Sequence, residues 1–546
     1  MTMEDHGGIN RSGFTIIIIV ILIACGFVKA FTKLWKYSFK LVALLIVVFI
    51  LLIVIFYKVQ VSNSCRGWNE GLAGHIMINS EHQCKTPIPT LCELNIRSNW
   101  LNFSKFTSTC DKVKSKFDTE ALPDSLKDKE DLKLIGFPRV EDYLEKIKIN
   151  QDEYRNQVRS DFIDMDDPEV PQEVKDKTEF IVDISDPENH KLNMTLKPDL
   201  QRAEQQRKLR KEIIDKEKED GTYGSRVDKN MLVIYIDNLS RAHFFRKMPE
   251  TARWLSQFVD NQESDYETYQ FFRYHSSYYN TLYSNAAMYY GQVEHVDDTS
   301  KNAFDSYAKN GYMTGFFKDS CETNAVSIHD LEPHTHRWDH FGGEVTCDYN
   351  YDNTDFKSLS IFSGKGSAIR HCLYGKNMHE YQMDYIKQFW AAYPENRKFF
   401  RTHFSEAHEL TGELVQYIDR DMRDFLQFFL DQNYLEDTMI SFVSDHGAHA
   451  LTLRIAAIPD NSRYIENYYP ILFHVTKKDI PEQAAHFLEV NEQSFIGSHD
   501  FYSFLMTVSE NSRVTSDAPG SYPYHMEAMP ASHDCSDSSV YTADCW

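Results

Sequence analysis

The apolar positions of the chain fall into two regimes. Near the amino terminus they are continuous. Leu41 to Tyr57 is apolar apart from its terminal hydroxyl, and at about 1.5 Å per residue it reaches roughly 25 Å, close to a bilayer core. The shorter run Phe14 to Val28 precedes it and reads as a second span or as a signal-like segment. Beyond residue 60 the apolar positions become intermittent. Cys65 to about Asp220 is charged and mixed, with one long polar helix pattern, Asp199 to Asp220, of the kind a solvated helix or spacer shows. From about residue 226 short apolar runs alternate with amphipathic ones. Met231 to Ile236 (MLVIYI), Tyr312 to Phe317 and Thr438 to Val443 (TMISFV) predict buried strands, and Pro249 to Phe258, Met378 to Ala392 and Glu413 to Leu430 predict helices. This alternation predicts an α/β fold, a sheet flanked by helices on both faces.

The charges orient that plan. Lys29, Lys33, Lys36 and Lys40 lie between the two apolar runs, and positive charge beside a span stays in the cytoplasm. The chain beyond Lys58 is therefore expected to be lumenal or extracellular, on an uncleaved membrane anchor. Three regions follow: an anchor region at 1–60, with one or two spans at 14–28 and 41–57; a cysteine-containing region and charged helical spacer at 61–225; and the α/β domain at 226–546. Cys65, Cys84, Cys92, Cys110, Cys321, Cys347, Cys372, Cys535 and Cys545 all lie beyond the anchor, and none forms a CxxC or CxxH pair. Disulfides are the expected use. Asn102-Phe-Ser and Asn193-Met-Thr are glycosylation sequons suited to a glycoprotein of the secretory route. With 58 Lys and Arg against 81 Asp and Glu, the formal net charge is −23, which argues against a nucleic-acid partner.

Candidate chemistry sits where strands end. MLVIYI runs into Asp237-Asn238-Leu239-Ser240-Arg241, and TMISFV into Ser444-Asp445-His446-Gly447, so both polar clusters fall at the carboxyl edge, where open α/β sheets carry their sites. Either alone is more simply a helix cap or turn. A third segment, Asn280-Thr281-Leu282-Tyr283-Ser284-Asn285 with Gly291 after it, places a hydroxyl and an amide at a helix start, where an anion is favoured.

The order of these motifs resembles the alkaline phosphatase/sulfatase superfamily. More narrowly, DNLSRAHFFRKMPET (237–251), YYNTLYSNAAMYYG (278–291), KDSCE (318–322), SEAHELTG (405–412) and DTMISFVSDHG (437–447) are similar, in sequence, to a nematode-expanded family of uncharacterised sulfatase-like membrane proteins, a domain of unknown function. Cys535 and Cys545 match a terminal cysteine pair there, and a short loop closed between them would tie down the tail. The resemblance implies an alkaline phosphatase-like mixed sheet and a divalent metal, zinc or manganese, held by Asp237, Thr281, Asp445 and His446, with Thr281 as nucleophile on a phosphate or sulfate ester. Thr281, His408 and Asn285 are the implied catalytic residues. His408 and His499 are the candidate ligands of a second metal, with Glu406 or His403 as substitutes.

Departures narrow this. The superfamily often has Asp four residues before the first such His, and here that position is Phe404; a one-metal site with His408 on a substrate oxygen fits better. No cysteine stands in a Cys-x-Pro-x-Arg setting, which argues against a formylglycine sulfatase. The position after SDHG is Ala448-His449 where the family frequently has an Arg, and Arg241, Arg246, Lys318 and Arg454 are the cations that would compensate. The expected activity is a membrane-anchored, metal-dependent phosphoric ester hydrolase or transferase acting on a phosphorylated glycan, lipid headgroup or other ester. A catalytically silent binding or adhesion ectodomain is one alternative, and a structural disulfide-bonded surface protein another. The aromatics of 266–291 are expected to fill core, and the sequon at Asn238 to be buried and unmodified.

Overall fold

The computed structural model of the chain describes residues 162–293 apart from 279, 300–319, 338–342, 372–408, 414–447, 466–515, 521–530 and 532–533, together with Val48 and parts of 122–137. Apart from Val48, both apolar amino-terminal runs lie outside the described residues. So do Asn102, His449, Arg454 and every cysteine beyond the anchor except Cys372. Among the described residues no helix is long and apolar enough to cross a membrane.

The region expected to be only charged and mixed holds a small antiparallel sheet. Its strands Ile163–Asp164, Leu134–Phe137, Phe180–Asp183 and Lys191–Met194 lie side by side in that order. A buried polar cluster docks it on the larger unit. Glu179 accepts from the Lys197 amide (2.7 Å) and the Tyr385 hydroxyl and lies 3.0 Å from His340 Nδ1. Beside it the Phe180 ring packs on Phe317 and Tyr385. Helix α1 (Leu200–Asp220) follows, capped by the Asp199 side chain and closed by Gly221 at a φ of 75°. It is not a free spacer. Its buried residues are Ala203, Gln206 and Arg210, and Gln206 donates to the carbonyls of Ala308 and Tyr312 at 2.9 and 2.8 Å. Hydrogen bonding rather than an apolar stripe fixes this helix.

The main sheet is built from β1 (Asn230–Ile236), β2 (Tyr266–Gln270), β3 (Tyr312–Lys318), β4 (His340–Phe341), β5 (Arg397–Phe404), β6 (Thr438–Val443) and β7 (Leu472–Lys477). Their order is β2-β7-β6-β1-β5-β3-β4, with β6, β1, β5, β3 and β4 parallel and β7 and β2 antiparallel to their neighbours. The expected mixed sheet is therefore present. Every residue of β1 is buried, and alternate side chains enter different cores because strand side chains alternate in direction. Leu232, Ile234 and Ile236 join a core with α2 (Arg241–Lys247), α3 (Pro249–Ser256), α6 (Met378–Ala392) and α7 (Ile418–Asp431). Met231, Val233 and Tyr235 join another with α4 (Thr281–Tyr290), α5 (Ala303–Lys309), α8 (Glu482–Val490) and α9 (Ser498–Glu510). Helices thus cover both faces. At the carboxyl edge the ends of β6, β1, β5 and β3 stand next to one another.

Candidate active site

Asp237 extends β1 by one residue, its amide donating to the Phe404 carbonyl at 2.9 Å. Asn238 then turns the chain at a φ of 64°, a conformation Asn tolerates better than most side chains. Its amide reaches Asp445 Oδ1 (3.3 Å) and its Nδ2 donates to the Ala407 carbonyl (3.0 Å). It is fully buried, as expected of that sequon. Ser240 accepts from the His243 amide and caps α2. On the neighbouring strand Ser444 Oγ accepts from the Leu239 amide (3.0 Å) and donates to the His446 carbonyl (2.8 Å). Gly447 passes so close to the chain that a Cβ would lie 1.8 Å from the Glu466 carbonyl oxygen, so the residue after the Asp-His pair has no room for a side chain.

These turns bring three ligand atoms together. Asp237, Asp445 and His446, all buried, offer one atom each within 4.8 Å of one another. Thr281, the first residue of α4, lies with Oγ1 3.2 Å from His446 Nε2. The His446 ring is oriented from behind: Nδ1 is 2.7 Å from the Gly447 carbonyl and must donate to it, which leaves the Nε2 lone pair pointing at the cluster. Nε2 is 3.1 Å from Asp445 Oδ2. Asp237 Oδ1 and Asp445 Oδ2 are buried acceptors without a hydrogen-bond partner. Two electron-rich atoms this close, beside a second carboxylate, call for a cation or proton between them. Carboxylates, an imidazole and a hydroxyl fit a divalent transition metal.

Around this group the expected residues divide. His403 Nε2 lies 3.4 Å from Asp237 Oδ2. Burial alone would raise the Asp237 carboxyl, but His408 and His403 hold it well below the usual carboxylate range. Burial would lower the His403 ring and the bond to Asp237 raises it. His408 is exposed at the end of the turn Glu406–His408 and acts on Asp237 through its charge. Asn285, one helical turn after Thr281, is buried; it donates to the Tyr235 hydroxyl at 3.0 Å and accepts from Arg401 at 3.1 Å. His499 stands beside the Gly291 backbone, at the far end of α4, about 15 Å along the helix from Thr281. His408 thus influences Asp237 through its charge, whereas His499 lies beside the other end of α4. Glu406 is held by His379 (3.0 Å). Phe404 is buried core at the end of β5.

Of the compensating cations among the described residues, Arg241 and Arg246 have other partners. The Arg241 guanidinium lies over the rings of Phe245, Phe272 and Phe473, Arg246 pairs with Glu466, and Lys318 is buried at the end of β3. The aromatics between 266 and 291 are mostly core, with Tyr283 exposed at 42%.

Two residues were given no role from the sequence, although one of them, Asp319, lies inside the KDSCE motif. Asp319 follows β3 as Asp237 follows β1, and burial together with the charge of Glu406 pushes it up to about 7; the strand-end rule was the available signal. His379 is the second residue of α6 and bonds Glu406 and Asp421, which lie 27 and 42 residues further on. No local pattern announces it.

Residues 276–519 match the model of a protein family of unknown function, DUF229. No curated protein matches. Solved structures that resemble the chain include a protein in the alkaline phosphatase superfamily from Vibrio parahaemolyticus (16% identity, 53% of this chain and 68% of that one, TM-score 0.34). Others are the lipoteichoic acid synthase LtaP from Listeria monocytogenes (12%, 58% and 77%, 0.35) and the soluble domain of lipooligosaccharide phosphoethanolamine transferase A from Neisseria meningitidis (10%, 52% and 89%, 0.33).

Proposed function

We propose that this chain is a metal-dependent phosphoric ester hydrolase or transferase, anchored in a membrane near its amino terminus with the α/β domain in the secretory lumen or outside the cell. The observation that carries the chemistry is the buried convergence of Asp237, Asp445 and His446 with the Thr281 hydroxyl 3.2 Å from His446 Nε2. Asp237, Asp445, His446 and Thr281 would hold one divalent ion, zinc or manganese. Such an ion lowers the pKa of a bound hydroxyl and offsets charge on a substrate oxygen.

Thr281 Oγ1, having given its proton to solvent, attacks phosphorus. The bond from Oγ1 to phosphorus forms as the bond to the leaving alcohol breaks, and His408 supplies the proton that the leaving oxygen takes up. Water or an acceptor alcohol then takes the phosphoryl group from Thr281. The left-handed turn at Asn238 and the start of α4, capped by the Asn280 side chain, keep these groups in place. A phosphorylated glycan or lipid headgroup is the proposed substrate class.

The test is metal analysis and turnover of an aryl phosphodiester by the full-length chain in detergent. The wild type should carry about one tightly bound divalent ion, lost in Asp237→Ala and Asp445→Ala and kept in Thr281→Ala, because a hydroxyl contributes less than a carboxylate. Turnover should vanish in all three. Bound metal without wild-type turnover would favour the silent ectodomain. A wild type that is metal-free without chelators and gains no stability from added zinc or manganese would sink both readings.

A further inference from the structure

His408 sits on a turn whose backbone is held at several points. The Ser405 amide donates to Asp319 Oδ2 (2.6 Å), the His408 amide to the Ser405 carbonyl (2.8 Å), and Asn238 Nδ2 to the Ala407 carbonyl (3.0 Å). A further tie is a side-chain one. Glu406 is buried, with Oε1 3.0 Å from His379 Nδ1. The other nitrogen of that ring, Nε2, is 2.8 Å from Asp421 Oδ2 in the first turn of α7. His379 itself is completely buried and stands in the first turn of α6.

A cation in the first turn of a helix is on the wrong end of the helix dipole, and a completely buried one is costly unless it is paired. Yet each nitrogen of this ring faces a carboxylate, Nδ1 that of Glu406 and Nε2 that of Asp421. A neutral group would serve if α6 merely needed a neighbour. A ring with a carboxylate on each nitrogen does something more specific: it spans from α7 to the turn and sets where Glu406, and two residues later His408, can lie.

Resting on the proposed hydrolase reading, we propose that His379 is a positioning residue for the reaction, a clamp that fixes the Glu406–His408 turn so that the exposed His408 faces the substrate side of Asp237. It touches neither the substrate nor the residues proposed to hold the metal, and acts only through Glu406.

A double-mutant cycle on the full-length chain tests this, with turnover of an aryl phosphodiester and bound metal measured together. His379→Ala is expected to lower kcat about tenfold or more, with KM within about twofold and the metal content unchanged. Glu406→Leu keeps the bulk of the side chain but offers His379 no acceptor, so it cuts the same tie and should reproduce the loss, which guards against misfolding of the alanine variant. His379→Arg keeps a cation with donors for both carboxylates and should recover most of the rate. The decisive comparison is with His408→Ala. If His379 acts through His408, adding His379→Ala to His408→Ala costs nothing further, whereas a merely structural role gives losses that multiply. A wild type with turnover and a multiplicative cycle overturns the clamp alone. If the wild type binds metal without turnover, the hydrolase reading fails, and the same cycle is read on vanadate affinity, where multiplicative losses again overturn the clamp. A wild type with neither turnover nor vanadate binding overturns both.

Discussion

At the amino edge of the main sheet, Asp228 receives Arg397 through Nε and Nη2, each at 3.1 Å, and also Arg210. Burial would push this carboxyl up, yet the two guanidinium groups hold it far below the usual range. Nearby, Lys398 Nζ donates to the Asn396 carbonyl and Lys229 Nζ to the Glu436 carbonyl. At the carboxyl edge of the same strands, Asp237 and Asp445 each keep a buried oxygen with no partner, and Arg401, the cation that β5 does supply, donates to Asn285 instead. One edge resolves its charge within the chain. The other leaves two buried carboxylate oxygens with no hydrogen-bond donor, and that asymmetry marks the site more sharply than any single motif.

The widest separation between the two edges should come from their acids. Asp445→Asn is expected to cost roughly a thousandfold in phosphodiester turnover, while its stability in chelator stays within about 1 kcal/mol of wild type. Asp228→Ala should do the reverse. It leaves Arg210 and Arg397 buried without their carboxylate and costs about 3–5 kcal/mol in urea unfolding, with bound metal per folded chain unchanged. Equal stability losses for the two acids would break the comparison.

Gly447→Ala comes next. A Cβ 1.8 Å from the Glu466 carbonyl forces the two backbones apart at about 1–3 kcal/mol, and because Gly447 also orients His446, metal affinity should fall with it. A stability loss without a change in metal affinity would separate the turn from the site.

Away from both edges, the docked small sheet offers a milder effect tied to pH. His340 and Tyr385 hold Glu179 below its ordinary range despite burial. A depressed carboxyl gives stability that is present above the unfolded pKa and lost as pH falls through the folded one. Protection of 180–194 against hydrogen exchange should therefore weaken only below about pH 4.5, and Glu179→Gln should remove that dependence. The smallest effect is at Asn193, exposed on the outer strand of the small sheet. Asn193→Gln should shift electrophoretic mobility by one glycan and change stability by no more than about 0.5 kcal/mol.

How much of this could be read in advance depended on whether buried residues were apolar. β1 and β6 were legible because MLVIYI and TMISFV are buried almost throughout with side chains that say so, and Asp237, Asp445 and His446 were legible because they follow those strands directly. β5, RKFFRTHF, lies between β1 and β3 and is nearly all buried, but Lys398, Arg401 and His403 disguise it as surface. Their burial is tolerated through partners far away in sequence, such as Asn285 and Asp237. The small sheet was hidden for another reason: its strands are two to four residues long and too short for periodicity to register. The separation of His499 from Thr281 is likewise a property of the packing of α9 on α4.

The bond from the Asn238 amide to Asp445 joins residues 207 positions apart, and β1 carries parallel partners on both sides, β5 and β6. During synthesis, then, the innermost strand of the protein exists for a long time before either neighbour has been made. Its hydrogen-bonding edges and apolar side chains must be shielded in that interval, because long-range parallel pairing is slow and an unpaired strand edge invites association with other chains. A stop codon just before residue 438 would strand β1 with one edge permanently unmatched, so truncations of that kind should aggregate rather than yield a smaller soluble protein.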